Sequence, residues 1–248
     1  MKQKWILCVV LFGAIFLSNG VQAQKEKKEP APADWLDRPD FNWKYRDWGN
    51  YINGRYGIQW NLGSIASTIS QFWKITNYYK KGTVSVLKMT HHSWTLDLDA
   101  YPGNANVTGQ GGQVIYAPGQ TPKKTIEIYL PQLKQTVDEF KELGDVDKAP
   151  LFYANKDIKA VVQRFSGKPV TQLGEGKKET SQDTFIYEFW VVDKSSAGYQ
   201  YVIKISYPEI YKDPKSKSKS IKRFQKEWAM VLAQFDYCKI DKKYKEEK

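Results

Sequence analysis

The chain has 248 residues and carries 38 Lys and Arg against 27 Asp and Glu, a formal net charge of +11 at pH 7. Aromatic residues make up 15 % of it, which is enough for a large buried core and excludes an intrinsically disordered protein. Beyond residue 23 no stretch has the roughly 18 consecutive apolar residues of a membrane helix, so no transmembrane segment is expected there.

The N-terminus has the layout of a secretory signal peptide. Lys2 and Lys4 precede an apolar run over residues 5–17, and the following VQA motif supplies the small residues that a signal peptidase reads. We therefore expect removal of residues 1–23 and export of a soluble chain that begins at Gln24, to a periplasm or to the outside of the cell. The alternative is an uncleaved membrane anchor. Cleavage would leave 36 basic against 27 acidic residues, a net charge near +9.

The mature chain divides into three predicted parts. Residues 24–33 form a flexible linker with charged residues and Pro, residues 34–238 form a single domain, and residues 239–248 form a Lys-rich tail. Since Cys238 is the one cysteine outside the signal peptide, no intramolecular disulfide is expected. The domain must therefore be stabilised by its apolar core.

The first half of the domain is predicted to begin as irregular chain and to continue with a helix and two strands. Aromatic residues crowd residues 34–60 without a regular period, which favours irregular segments with one short strand over 56–60. Apolar residues recur at helical spacing over 64–80 and predict a helix. Two strands are predicted over 83–90 and 93–99, because apolar and polar residues alternate there, and residues 101–112 are predicted as a loop.

The second half carries the clearest periodicity. A hairpin is predicted from 113–116 and 125–130, and helices are predicted over 131–143 and 156–165, each followed by a glycine. Strict alternation of aromatic and aliphatic residues predicts a strand pair over 184–193 and 199–207. The last helix is predicted over 217–235. These elements indicate an α+β fold in which about four helices pack on one antiparallel β-sheet, within a single domain.

The sequence contains no compact metal-binding or cofactor-binding motif. His91 and His92 are adjacent, so in a strand their side chains point to opposite faces unless a tight turn separates the strands. Asp97 and Asp99 share one strand face, which is interpreted as an exposed acidic face. Zinc sites usually need three protein ligands in compact spacing, so neither a metal nor a cofactor is expected.

Catalytic residues are not identified by the sequence. It has no nucleophile elbow, phosphate-binding loop or zinc-protease helix. Carboxylate pairs for glycoside hydrolysis are set by the fold and not by the order of the chain, so a hydrolase stays open as an alternative. The absence of compact motifs favours a protein that is not an enzyme.

Positive charge is concentrated at the C-terminal end of the chain. Residues 215–248 hold 11 Lys and Arg against 5 Asp and Glu. On the last helix Lys219, Lys222, Arg223 and Lys226 recur at helical spacing opposite the apolar residues, and we call these four the basic strip. Such a strip is typical of contact with an anionic surface, although a plainly solvated helix face has the same pattern.

The aromatic segment offers a second candidate site. Trp35, Trp43 and Trp48 are interleaved with Asp, Asn and Arg, a combination found on surfaces that bind sugars. The alternative interpretation is a segment that wraps the sheet and packs through its rings.

The sequence therefore predicts an exported, soluble, basic protein of the cell envelope that binds an anionic or carbohydrate ligand without catalysis. The predicted partner is an anionic envelope surface or a polysaccharide, and nucleic acid is not expected because an exported protein rarely meets it. The alternative is an exported, glycan-directed hydrolase with scattered carboxylates in an aromatic-lined cleft.

Overall fold

The computed structural model describes residues 51–65, 67–69, 72–77, 84–109, 111–173, 176–192 and 198–239. Within these residues the fold is mostly antiparallel β-sheet. In chain order the strands are β1 (Tyr51–Asn53), β2 (Ile58–Trp60), β3 (Lys74–Asn77), β4 (Ser85–His91), β5 (Trp94–Pro102), β6 (Val107–Thr108), β7 (Val114–Tyr116), β8 (Val137–Glu142), β9 (Asp147–Leu151), β10 (Asn155–Gln172), β11 (Lys178–Thr180), β12 (Phe185–Val192), β13 (Tyr199–Pro208) and β14 (Phe235–Tyr237). The α-helices are α1 (Pro122–Glu127), α2 (Leu130–Thr136) and α3 (Lys219–Leu232).

The main sheet has nine strands. Its spatial order is β11-β10-β12-β13-β5-β4-β3, and β8 and β9 also pair with the long strand β10. The registers of this sheet are antiparallel throughout. A small sheet, β1-β2-β14, brings the start of the described chain beside its end.

Two hydrophobic clusters lie on opposite faces of the main sheet. On one face α3 inserts Phe224, Trp228 and Val231 among buried residues of β4, β5 and β13. On the other face α1 and α2 cover Phe165, Phe189 and their neighbours. Every residue of β12 is buried, since this strand lies near the centre of the sheet and both of its faces are covered.

The predicted antiparallel sheet is confirmed, and the α+β class is compatible with the structure. The prediction of about four helices is wrong, because α-helix in the described residues is confined to 122–136 and 219–232. The predicted strands over 83–90, 93–99, 184–193 and 199–207 are present as β4, β5, β12 and β13. The last helix is present as α3, where the Ser218 side chain accepts a hydrogen bond from the Ile221 amide and caps the first turn.

Two predicted helices are strands or irregular chain instead. Residues 156–165 belong to β10, where Ile158, Ala160 and Val162 are buried in alternation on one face. The described residues of 64–80 contain the end of a 3-10 turn at Gly63–Ile65 and the strand β3, while residues 66, 70, 71 and 78–80 lie outside the described part. In both cases pairing with a neighbouring strand outweighs weak helical spacing.

The segment between β5 and β10 also departs from prediction. β7 pairs with β6 and not with 125–130, because Pro122 and the Thr121 cap begin α1 there. The helix predicted over 131–143 ends at Thr136, and the chain continues as β8, which pairs with β10. The short loop predicted over 101–112 contains the end of β5 and the two residues of β6.

Candidate functional site

The basic strip lies on the solvent side of α3. Lys219, Lys222, Arg223 and Lys226 are all exposed, at positions opposite the buried residues of the same helix. Residues 214–226 contain six Lys and Arg and no Asp or Glu. The structure thus brings the four predicted residues together on one surface.

One cation of the strip has an internal partner. The Arg223 side chain donates a hydrogen bond from Nε to Oε1 of Glu227 over 2.6 Å. Glu227 is only 2 % exposed, and its Oε2 accepts a hydrogen bond from the Trp73 indole at 2.9 Å. Arg223 therefore also has a structural role, and the three lysines are the strip residues without a recorded acidic partner among the described residues. Glu227 was not predicted, although its i+4 spacing from Arg223 is visible in the sequence.

His91 and His92 lie at the tight hairpin between β4 and β5. His92 has a φ of 50°, and His91 pairs with Trp94 across the turn. Burial, reinforced by His92, lowers the pKa of His91 to about 4, so its ring is neutral at pH 7. The ring packs on Trp73 and Phe224. Among the described residues no group of three His, Cys, Asp or Glu side chains is placed to hold a metal ion.

The three tryptophans of the aromatic segment, Trp35, Trp43 and Trp48, lie outside the described residues. The described end of this segment is part of the core. Tyr51 and Trp60 are fully buried, and the Trp60 indole donates a hydrogen bond to the Val231 carbonyl at 3.1 Å. These two rings pack rather than form an open platform.

A second polar surface lies on the other face of the sheet, across β4, β5 and β13. Its side chains form cross-strand rows, since Thr90 pairs with Thr95 and Thr95 with Ser206, while Lys88 and Lys204 both pair with Asp97. We call these residues, with Asp99 and Tyr129, the polar patch. The helices α1 and α2 contact β8, β10 and β12, next to this patch.

Asp99 accepts hydrogen bonds from two side chains. Its Oδ2 accepts from the Tyr129 hydroxyl at 2.7 Å and from Lys204 Nζ at 2.8 Å. Burial and the Asp99 charge raise the pKa of Tyr129 well above its ordinary value, so this phenol keeps its proton and can donate it. The Tyr101 hydroxyl lies 2.8 Å from that of Tyr129 and extends the network.

Asp97 differs from its neighbour. It is 7 % exposed, and no donor in the described part of the chain lies within hydrogen-bond distance of its carboxylate. Burial raises the pKa of Asp97 to about 6, against the opposing charges of Lys204 and Lys88. The sequence interpretation of Asp97 and Asp99 as an exposed acidic face is therefore wrong. They do share one face, but lysine stems and hydroxyl groups surround them.

Glu188 is a further buried carboxylate, on the α3 face of β12. It accepts hydrogen bonds from the Tyr207 hydroxyl at 2.7 Å, from the Trp190 indole at 3.0 Å and from Lys212. Although burial acts to raise it, the pKa of Glu188 is held below its usual value, chiefly by Lys212. All its contacts are internal, which indicates a structural role.

An open cleft of about 560 Å³ is lined by residues 182–184, 208–210, 212 and 213. Its walls contain Asp183, Glu209 and Asp213 but no aromatic ring. It therefore does not correspond to the aromatic-lined cleft that the hydrolase alternative requires. Among the described helices none is long and apolar enough to cross a membrane.

Comparisons with known proteins show only remote similarity. No family model matches the chain. No curated protein matches it either. Among solved structures, the Ran-binding protein Mog1p of Saccharomyces cerevisiae is similar over 74 % of this chain and 91 % of its own, with 7 % identity and a TM-score of 0.33. A Bacteroides thetaiotaomicron protein is similar over 77 % of this chain, with 13 % identity and a TM-score of 0.32, and this chain spans 48 % of its length.

Proposed function

We propose that the protein is an exported binding protein of the cell envelope that holds an anionic surface or polysaccharide through the basic strip of α3. The observation that carries this proposal is the run of six cations without an acid over residues 214–226, with the strip residues exposed on one side of a capped helix. Cations fixed on one face act together on a ligand that carries repeated negative charges.

The helix is held in a way that suits this role. Phe224, Trp228, Val231 and Leu232 anchor one side of α3 in the core, so the opposite side is presented on a rigid support. The one acid of α3, Glu227, faces the core and bonds Arg223 and Trp73, so its charge is directed away from the three lysines.

Export is the other half of the proposal and rests on residues 1–23. We expect the exported product to begin at Gln24, because the VQA motif places a signal-peptidase site after residue 23. N-terminal sequencing of the protein from the envelope fraction measures this directly. A product that keeps the apolar segment and stays with the membrane would contradict it.

Replacing Lys219, Lys222 and Lys226 by Gln should abolish retention on anionic liposomes or on an acidic polysaccharide. Retention of the parent should fall steeply between low and physiological salt, since the screening length shortens to about 8 Å. The triple variant keeps Arg223 and its bond to Glu227, so we expect its melting temperature to be nearly that of the parent. Adding Arg223→Gln should lower the stability, because Glu227 then loses one of its two described hydrogen-bond donors and keeps only the Trp73 indole.

A matched control separates the strip from net charge. Lys123, Lys124, Lys141 and Lys148 are also exposed and lie on other elements, so replacing three of them by Gln changes the charge equally. This control should bind as the parent does. If it loses retention to the same degree, or if the parent shows no salt-sensitive retention on either surface, the strip is only a solvated helix face.

A further inference from the structure

The polar patch combines hydrogen-bond acceptors and donors on one sheet face. The Thr95 and Ser206 hydroxyls lie 2.7 Å apart, and Asp97 is the next residue along β5 on this face, about 7 Å away. Lys88, half-buried, lies directly across from Asp97 on β4. The patch faces away from α3, so it is separate from the basic strip.

Asp97 is the one carboxylate of the patch that lacks a hydrogen-bond donor among the described residues. Asp99, two residues further along the same strand, has two donors within 2.8 Å. Buried carboxylates are normally supplied with donors, because an unbonded one loses its hydration without replacement. The Asp97 side chain is nine-tenths buried but keeps 7 % exposure, so its carboxylate can take a donor from outside the described residues, from water or from a ligand that replaces the water.

The charge of the surroundings restricts what that ligand can be. Lys88 and Lys204 face Asp97 from the two neighbouring strands, and they balance the two carboxylates, Asp97 and Asp99. A metal ion or an ammonium group would add positive charge beside two lysines, and an anion would meet two carboxylates. The ligand that fits the patch is therefore an uncharged one that donates a hydrogen bond to Asp97.

We propose that the polar patch is a binding site for a neutral saccharide, with a sugar hydroxyl donating a hydrogen bond to the Asp97 carboxylate. Sugar hydroxyls both donate and accept hydrogen bonds, so adjacent ones can bond Asp97, Lys88 and the Thr95–Ser206 hydroxyl pair at once. The ligand class is an uncharged polyhydroxylated ring. It occupies the sheet face opposite the strip and does not depend on it.

Titration calorimetry of the full mature chain with maltotriose, cellotriose and triacetylchitotriose tests this site. We expect one of these uncharged sugars to bind, with an affinity that changes little with salt. Asp97→Ala should weaken binding about tenfold or more, since it removes a hydrogen bond to a charged group. Thr95→Val, which keeps the side-chain volume, should weaken it several-fold, and Asp145→Ala, at an exposed position off the patch, should leave it unchanged.

The dependence on pH identifies Asp97 as the acceptor. Its pKa near 6 means that the carboxylate is mostly protonated at about pH 5 and ionised at about pH 8, so the sugar should bind more tightly at the higher pH. Asp97→Asn should remove this dependence. A merely structural role for Asp97 would lower affinity equally at both pH values.

Three results would overturn the proposal. These are absence of binding to all three sugars, equal affinity of the Asp97→Ala variant and the parent, and release of shorter saccharides from the bound ligand, which would establish the hydrolase alternative. The basic-strip triple variant should bind the sugar as the parent does. Failure of the strip and failure of the patch are therefore distinguishable.

Discussion

Phe189→Ala is expected to lower the free energy of unfolding by about 3–5 kcal/mol, the usual cost of deleting a fully buried phenylalanine. Phe189 lies in the middle of β12, between β10 and β13, and is 1 % exposed. Its ring packs against Phe165 and Tyr129 at centroid distances of 5.8 and 5.6 Å. Phe165 belongs to the neighbouring strand β10 and Tyr129 to the α1–α2 connection, so the cavity cannot close by moving one loop.

Urea unfolding followed by far-UV circular dichroism measures this loss. Leu173→Ala is the matched control, because it removes apolar atoms at a position that is 53 % exposed, and we expect a change of less than about 0.5 kcal/mol. A Phe189→Ala variant as stable as the parent would contradict both the buried position of the ring and the central position of β12.

Asp97→Asn is expected to stabilise the protein at about pH 8 and to have little effect at about pH 3. The folded protein raises the pKa of Asp97 from 3.8 to about 6. A carboxyl whose pKa is raised by folding contributes stability at a pH below its pKa in the unfolded chain. This contribution is lost as the pH rises through its pKa in the folded protein. A shift of this size corresponds to about 3 kcal/mol. Asn keeps the shape of the side chain and does not ionise, so the variant does not lose this stability as the pH rises.

The difference in unfolding free energy between Asp97→Asn and the parent should therefore grow between about pH 4 and pH 6 and then level off. Urea midpoints at a series of pH values give this curve. Asp145→Asn, at an exposed loop position, should give a flat difference near zero. A variant that is less stable than the parent at about pH 8 would show that Asp97 has a donor that stabilises its charged form.

Strict alternation was a reliable guide to the strands. In β12 and β13 every second residue is large and apolar, and the two faces of each strand could be assigned from the order of the residues alone. The amphipathic pattern of α3 was sufficient to predict this helix, since its apolar residues span three turns and Ser218 is its N-cap residue.

Short apolar runs were not sufficient to distinguish a helix from a strand. Ile158, Val161, Val162 and Phe165 fit a helix face, yet β-branched residues with alternating burial fit a strand as well. The decision came from partners far along the chain, because β10 pairs with β8, β9, β11 and β12. Residues 74–77 likewise became a strand by pairing with β4.

The sequence by itself determined the features that depend on local order, namely the basic strip, the last helix, the central strand pair and the signal-like N-terminus. It also showed that Asp97 and Asp99 share a face. Only the tertiary structure decided that these carboxylates are buried, because Lys204, which bonds Asp99 and pairs with Asp97, is 105 residues away from Asp99 along the chain. Glu227 is likewise buried beside a distant residue, since its donor Trp73 is 154 residues away along the chain. A side chain's hydrogen-bond donors and exposure are set by the strands and helices that pack beside it, and a local pattern does not contain them.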